Sequence, residues 1–112
     1  MQRFPRNARL LTPESFKSVF ADGRRFSYPG VSAVVRDNAG DGPRLGLAIA
    51  KKVLKRAVAR NRVKRWTRES FRRQAAGMAP VDVVIMVRPE CTQLPPEQIR
   101  DSLDRLWARL QA

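Results

Sequence analysis

The chain has 112 residues, 43% of them hydrophobic, which suits one globular domain over residues 1–112 and argues against general disorder. Its 23 lysine and arginine residues outnumber 10 acidic residues, giving a formal net charge of +13. Such an excess favours a polyanionic partner, because basic side chains that neutralise phosphates release bound counterions. The sequence contains no histidine, which removes the commonest metal ligand and the commonest general base.

Several features bear on where the protein works. A single cysteine, Cys91, excludes an internal disulfide and predicts a reducing compartment. The first residues do not lead into an apolar run typical of a signal peptide. No stretch approaches the roughly 20 apolar residues of a membrane span. We therefore expect a cytoplasmic protein without membrane contact, and no feature of the sequence indicates a protein partner.

The first half of the chain predicts one helix followed by strands. Thr-Pro-Glu at 12–14 supplies a hydroxyl N-cap, a proline at the first helical position and an acid in the first turn. Gly23 is placed to end this helix. The segments that follow are a short strand over 24–28, a valine-rich strand over 31–36, a glycine-rich loop over 38–43 and an alternating strand over 44–50.

The second half predicts a helix, a strand and a final helix. Residues 55–76 contain neither proline nor glycine and predict a long helix. Residues 81–87 are almost all apolar, which is typical of a strand buried on both faces. The last helix follows the breaker at 94–97 and has a clean helical period of apolar residues. The order is α-β-β-β-α-β-α, which predicts an α+β fold with one layer of helices against one small sheet.

Positive charge is concentrated around the long helix. Residues 51–73 contain eleven of the basic residues and a single acid, Glu69. At 100° per residue, one helix face collects Asn61, Lys64, Arg65, Arg68 and Arg72, while another collects Ala59, Val63, Trp66 and Ser70 and suits packing on the sheet.

The alternative interpretation of this segment is an ordinary solvated helix. Solvated helices usually mix charge signs, because like charges at i, i+4 repel. Here Lys64 and Arg68, and Arg68 and Arg72, are like-charged pairs at that spacing. The pattern therefore favours binding of RNA or DNA, and the excess of arginine suits bidentate phosphate contacts.

Three motifs resemble a known family. They are Ala-Lys-Lys-Val at 50–53, Arg-Asn-Arg-Val-Lys-Arg at 60–65 and Arg-Glu-Ser-Phe-Arg at 68–72, and they resemble the signature of the bacterial ribonuclease P protein. The similarity covers nearly the whole chain, because Arg-Leu at 9–10, two phenylalanines, the strand at 44–47 and the closing helix stand in the expected order. The tripeptide Arg-Asn-Arg alone is a weak signal, whereas its position in this order is specific.

The resemblance implies a fold and a division of labour. The fold is a two-layer α-β-β-β-α-β-α sandwich with a left-handed β-α-β crossover, against the usual rule. The catalyst is an RNA subunit that uses Mg²⁺, and the protein assists removal of the 5′ leader from precursor tRNA, so it carries no catalytic residue and binds no metal itself. Residues expected to contact the catalytic RNA are Arg60, Asn61, Arg62, Lys64, Arg65 and Arg68, and the wider RNA-binding surface adds Lys51, Lys52, Lys55, Arg56 and Arg72. Residues expected to line a cleft for the leader are Phe16, Phe20, Ser32 and Val34.

The sequence departs from the family pattern at two positions. Val34 stands where several members carry an aromatic residue, which puts base stacking from that strand in doubt. Leu54 replaces a glycine found in part of the family, so the turn into the long helix is expected to differ.

Two other classes of function fit a small basic α/β chain. A ribosomal protein predicts association with a ribosomal subunit and no effect on tRNA maturation. A DNA-binding regulator is less favoured, because the basic helix has a core stripe suited to a sheet instead of a helix-turn-helix. Cys91 has no histidine to activate it, so a protein nucleophile is not expected.

Overall fold

The computed structural model describes residues 13–40 and 42–112, so the motif at 9–10, the expected N-cap Thr12 and the loop residue Asp41 lie outside the described part. The elements follow the predicted order. They are α1 (Pro13–Asp22), β1 (Arg24–Tyr28), β2 (Val31–Asp37), β3 (Arg44–Leu47), α2 (Ala57–Gln74), β4 (Val81–Val87) and α3 (Pro96–Arg109), with short 3₁₀ turns at Ala75–Gly77 and Pro89–Gln93.

The four strands form one sheet in the order β1-β2-β4-β3. Strand β2 runs antiparallel to both β1 and β4, whereas β3 and β4 are parallel neighbours. Parallel neighbours need a long crossover, and α2 provides it between β3 and β4. The left-handed sense expected of this crossover stays a prediction.

Strand β4 is covered on both faces, as predicted. Val83 and Ile85 point into the large core cluster that the sheet forms with α2 and α3. Val84 points the other way and packs with Val34 of β2 and Val19 of α1. All five side chains are fully buried.

Helix α1 lies apart from the other two helices. It packs on β2 and β4 through the Val19–Val34–Val84 cluster, whereas α2 and α3 pack against each other on the opposite face. The two-layer sandwich is therefore formed by the sheet with α2 and α3, and α1 adds cover on the second face. The physical reason is that β2 and β4 are apolar at successive positions, so a single helix layer leaves half of their side chains in water.

A buried polar contact fixes α2 to α3. The fully buried Trp107 of α3 meets Phe71 of α2 edge-on, with ring centroids 5.4 Å apart. Its indole N–H donates a hydrogen bond to Ser70 Oγ at 2.8 Å, and the Ser70 hydroxyl donates to the Thr67 carbonyl. The indole nitrogen is thus satisfied inside the core, which a buried tryptophan requires.

Helix α3 also holds the hairpin that β1 and β2 form. The turn contains Pro29 and Gly30, and Gly30 has a φ of 78°, which glycine adopts without strain. Ser102 on α3 donates a hydrogen bond to the Pro29 carbonyl at 2.7 Å. A side chain at Gly30 would collide with Ile99, so the hairpin and α3 are in close contact.

Strand β3 ends at Leu47, three residues before its expected end, and α2 begins two residues later than expected. Ala48 still donates a hydrogen bond to the Ile85 carbonyl at 2.9 Å, but the chain then turns. The turn is closed by a hydrogen bond from Leu54 N–H to the Ala50 carbonyl, and the Leu54 side chain is buried in the core. Leu54 therefore anchors the turn at the position where part of the family has glycine.

Asp82 is the charged residue of β4, and it is buried. Its carboxylate accepts two hydrogen bonds of 2.7 Å from the Arg44 guanidinium and one of 3.0 Å from the Asn38 amide. The same amide donates to the Gly42 carbonyl at 2.6 Å. The network joins β3, β4 and the loop between β2 and β3.

We expect Asp82→Asn to lower the free energy of unfolding by about 3 kcal/mol, because it breaks a bidentate pair and leaves the Arg44 charge partly buried. Urea unfolding at pH 7 measures the change as a shift in midpoint. Asp104→Asn, at an exposed position of α3, is the matched control and should change stability by less than about 0.5 kcal/mol. Equal midpoints for the two variants would contradict a stabilising role for the network.

Candidate RNA-binding surfaces

The turn between β3 and α2 is positively charged. Lys51, Lys52, Lys55 and Arg56 are all exposed there. Helix α2 begins next, with no acid in its first turn, and within the described chain the Arg56 side chain makes no capping hydrogen bond. The unpaired N–H groups of the first turn and the positive end of the helix dipole lie here as well, so this end of α2 attracts anions.

The five residues predicted to share the polar face of α2 reach the surface. Asn61, Arg65 and Arg68 are exposed, and Lys64 and Arg72 are partly exposed. The buried residues of the helix lie on another face and are Val63, Thr67, Ser70 and Phe71. The structure thus brings the predicted basic residues together on a solvent-facing surface, which we call the α2 basic face.

Arg60 has a structural contact that the sequence did not indicate. Its Nη1 donates hydrogen bonds to the carbonyls of Leu54 and Lys55, at 2.7 and 2.9 Å. This guanidinium therefore fixes the turn before α2, in addition to the RNA contact expected of it. The Arg60 side chain is partly exposed, and a guanidinium group has five N–H donors, so donors beyond these two remain for other partners.

The buried side of α2 includes the predicted core stripe and extends beyond it. Val63 and Ser70 are buried as predicted, and Ala59 and Trp66 are partly buried and pack against the core. Thr67 and Phe71 are buried as well, so the packed side of α2 is wider than the predicted stripe. Arg62, next to the stripe, is exposed and borders a small apolar cavity of about 270 Å³.

On the opposite face of the sheet, one of the four residues expected to line a cleft does not reach the surface. Val34 is fully buried beneath α1, so the expectation that it contacts RNA is wrong and its role is to support that helix. Phe16 is partly exposed and packs on the same cluster. Phe20 lies one turn further along α1 with 38% of its surface exposed, and Ser32 is partly exposed on β2.

A row of side chains that reach the surface crosses the sheet beside α1. Ser27, Ser32 and Met86 are direct cross-strand partners, and Ala48 packs with Met86 against the cluster beneath α1. None of the four is fully buried. With Phe16 and Phe20 on the helix, this row forms an open surface that we call the α1 groove. Sequence reasoning missed Ser27, Met86 and Ala48, because the pairing register of the strands brings them together. The alternation of side chains within each strand indicates which residues share a face, but not which residues of different strands are neighbours.

A second charged contact lies just after β4. The Glu90 carboxylate accepts hydrogen bonds from the Gly30 N–H at 3.1 Å and from Arg88 at 2.7 Å. Backbone hydrogen bonds from Glu90 itself and from Gly30 lower the pKa of the Glu90 carboxyl, and the Arg88 charge adds to the effect. Burial raises the pKa of the adjacent Cys91 thiol, which keeps it protonated and unreactive at neutral pH.

Across residues 13–40 and 42–112, acidic and cysteine side chains form no group of three that could hold a metal ion. Within the described helices, none combines the length and apolar character needed to cross a membrane. The surfaces that the structure does present are basic and aromatic, the chemistry that contacts phosphates and unpaired bases.

Known proteins of one family match this chain over nearly its full length. The family model described as Ribonuclease P matches residues 4–111. The ribonuclease P protein component of Thioalkalivibrio sulfidiphilus is 54% identical over 109 residues, which cover 97% of this chain and 91% of that protein. The component of Aliivibrio salmonicida is 44% identical over 107 residues, which cover 96% of this chain and 92% of that protein.

Solved structures of RNase P proteins have the same fold as this chain. The RNase P protein of Staphylococcus aureus superposes with a TM-score of 0.83 over 94% of this chain and 98% of that chain, and at 23% identity this likeness concerns the fold alone. The RNase P protein of Thermotoga maritima gives a TM-score of 0.77 at 28% identity over 93% of this chain and 98% of that chain. The ribosomal alternative has no support in these comparisons. Since the family model, the full-length relatives and the fold all agree, this chain belongs to the ribonuclease P protein component family, a subunit of the endoribonuclease that processes the 5′ end of tRNA.

Proposed function

We propose that this chain docks on the catalytic RNA of ribonuclease P through the α2 basic face and holds the 5′ leader of precursor tRNA in the α1 groove. The holoenzyme, working in the cytoplasm, then removes the leader. The RNA and its Mg²⁺ ions carry out the cleavage, while this chain binds and orients the two RNA molecules. Partnership with the ribonuclease P RNA follows from the family, and the residues involved are our assignment.

The observation that carries the proposal is the separation of the two surfaces. Helix α2 packs on one face of the sheet with its basic residues in solvent, and the α1 groove lies on the other face. One chain can therefore contact two RNA molecules at the same time without overlap.

Each surface suits its proposed ligand. Arginine guanidinium groups on a rigid helix, such as Arg65 and Arg68, match the bidentate geometry of phosphate oxygens in folded RNA. The α1 groove offers the exposed ring of Phe20 beside a floor of serine, alanine and methionine side chains, and Lys17 and Arg25 add exposed charge on the same side of the sheet. An extended single strand is typically bound by such a combination of aromatic surface and positive charge.

The double variant Arg65→Ala/Arg68→Ala should weaken binding to the catalytic RNA by about 100-fold. Each hydrogen bond to a charged phosphate contributes about 1.5 kcal/mol, and 1.4 kcal/mol corresponds to tenfold in affinity. The slope of log K against log salt should also fall by about 1.5, because two phosphate contacts are lost. Filter binding over a range of salt concentrations measures both quantities.

The matched control for this experiment is Arg109→Ala. It removes a charge from α3, where the guanidinium lies 5.4 Å from the Phe26 ring centroid, away from the α2 basic face. Arg60→Ala is expected to differ from both, because it also loses two carbonyl contacts and about 1 kcal/mol of stability. If the double variant and Arg109→Ala bind the catalytic RNA with equal affinity and equal salt slope, docking through α2 is excluded.

Phe20→Leu should reduce the holoenzyme's preference for precursor over mature tRNA by about 5- to 150-fold, the value of one stacked base. Leucine keeps most of the apolar volume and removes only the ring. The measurement is the ratio of the two affinities, with leaders shortened one nucleotide at a time. Val58→Ala, at an exposed apolar position of α2, is the control and should keep the preference. A wild-type ratio that does not depend on leader length would overturn the assignment of the α1 groove.

A further inference from the structure

A groove runs between α2 and α3, on the helix side of the sheet. It encloses about 460 Å³, within the range of about 300 to 1,000 Å³ typical of sites for small ligands. Its floor includes Ser70 and Leu103, and its walls are formed by Arg65, Trp66, Glu69, Arg73, Arg100 and Asp104. The α1 groove lies on the opposite face of the sheet, so the two sites are distinct.

The three arginines of this groove keep their charge available. Glu69 and Asp104 line the same walls, yet among the residues that the structure describes none of Arg65, Arg73 and Arg100 forms an ion pair. Three guanidinium groups from two helices therefore face one concave site with only two carboxylates. The site as a whole favours an anion.

Trp66 and Arg100 add a stacking surface. The Arg100 guanidinium carbon lies 4.8 Å from the centroid of the partly buried Trp66 ring. The indole holds the guanidinium over its face by a cation–π contact. The outer side of a guanidinium group placed in this way can stack on a nucleic-acid base.

We propose that the groove binds an unpaired nucleotide of RNA. The base stacks on the Arg100–Trp66 pair, and Arg65 and Arg73 bind the adjoining phosphates. Arg65 belongs to both the groove and the α2 basic face, so an RNA strand on that face leads directly into the groove. RNA fits better than an acidic peptide, because carboxylates can pair with the arginines but cannot stack on the flat Arg100–Trp66 surface.

The two tryptophans allow a direct test by fluorescence. Trp107 is fully buried and Trp66 is partly exposed, so quenching by neutral acrylamide reports Trp66 in the unmodified protein. Hexaadenylate should protect Trp66 from acrylamide, whereas an abasic hexamer of the same charge should protect it much less. Trp66→Phe should abolish the signal and so confirm its source.

Two variants on α3 separate stacking from charge. Arg100→Ala and Arg100→Lys should both weaken the hexaadenylate-dependent protection, by about 5- to 150-fold in affinity, because lysine keeps the charge but lacks the planar group. Arg105→Ala is the matched control, since Arg105 lies over the Tyr28 ring at 5.4 Å on the same helix and outside the groove. Phe20→Leu should leave the protection unchanged, which distinguishes this site from the α1 groove.

The source of the nucleotide is decided in the holoenzyme. Protection of Trp66 that appears when the catalytic RNA is added assigns the nucleotide to that RNA, and protection that appears only with precursor tRNA assigns it to the substrate. The proposal is overturned if hexaadenylate at saturating concentration leaves quenching unchanged, or if the abasic hexamer protects equally well. It is also overturned if neither holoenzyme RNA protects Trp66.

Discussion

The burial of β4 on both faces is the constraint on which the rest of the structure depends. Its successive valines place apolar side chains on both faces of the strand. Exposing either face to water is unfavourable, so helices must cover both faces of the sheet. Covering one face with α2 and α3 turns the basic side of α2 outward. Covering the other with the short α1 leaves part of that face open beside the helix, as the α1 groove. The two candidate binding surfaces therefore follow from one requirement of the core.

Local signals in the sequence predicted the elements well, and non-local contacts account for the differences. Gly23 ends α1 and the breaker before Pro96 precedes α3, because caps and breakers act within one turn. The side of the sheet that α1 occupies depends on how β2 and β4 pair, which no local pattern records. For the same reason no local pattern shows that α1 buries Val34, which the family resemblance assigns to the leader cleft. The contacts of Arg60 with the carbonyls before α2 also depend on a turn whose shape the buried Leu54 sets.

The arginines of this strongly basic chain fall into distinct environments, which explains where charge remains available. Arg44 and Arg88 are paired with carboxylates, and Arg60 is bonded to carbonyls. Arg105 and Arg109 lie over aromatic rings while their charge stays in solvent, and Arg105 also lies 4.0 Å from the Asp101 carboxylate. Along α2, by contrast, like charges accumulate at i, i+4, and a bound polyanion would offset the cost of their repulsion. The distribution of interaction partners among the arginines, more than the total charge of the chain, identifies the surface suited to RNA.

Helix α1 is the least anchored of the described helices, and this bears on the proposed binding of a leader. It rests mainly on the Val19–Val34–Val84 cluster, and its Asp22–Arg36 ion pair is exposed, at 3.7 Å, so it adds little. Helices α2 and α3 instead share the large core around Trp107. Separating α1 from the sheet therefore exposes less apolar surface and costs less free energy than separating α2. An RNA strand bound in the α1 groove as proposed would contact helix and sheet together, so it would bind only the docked state and stabilise α1 by mass action.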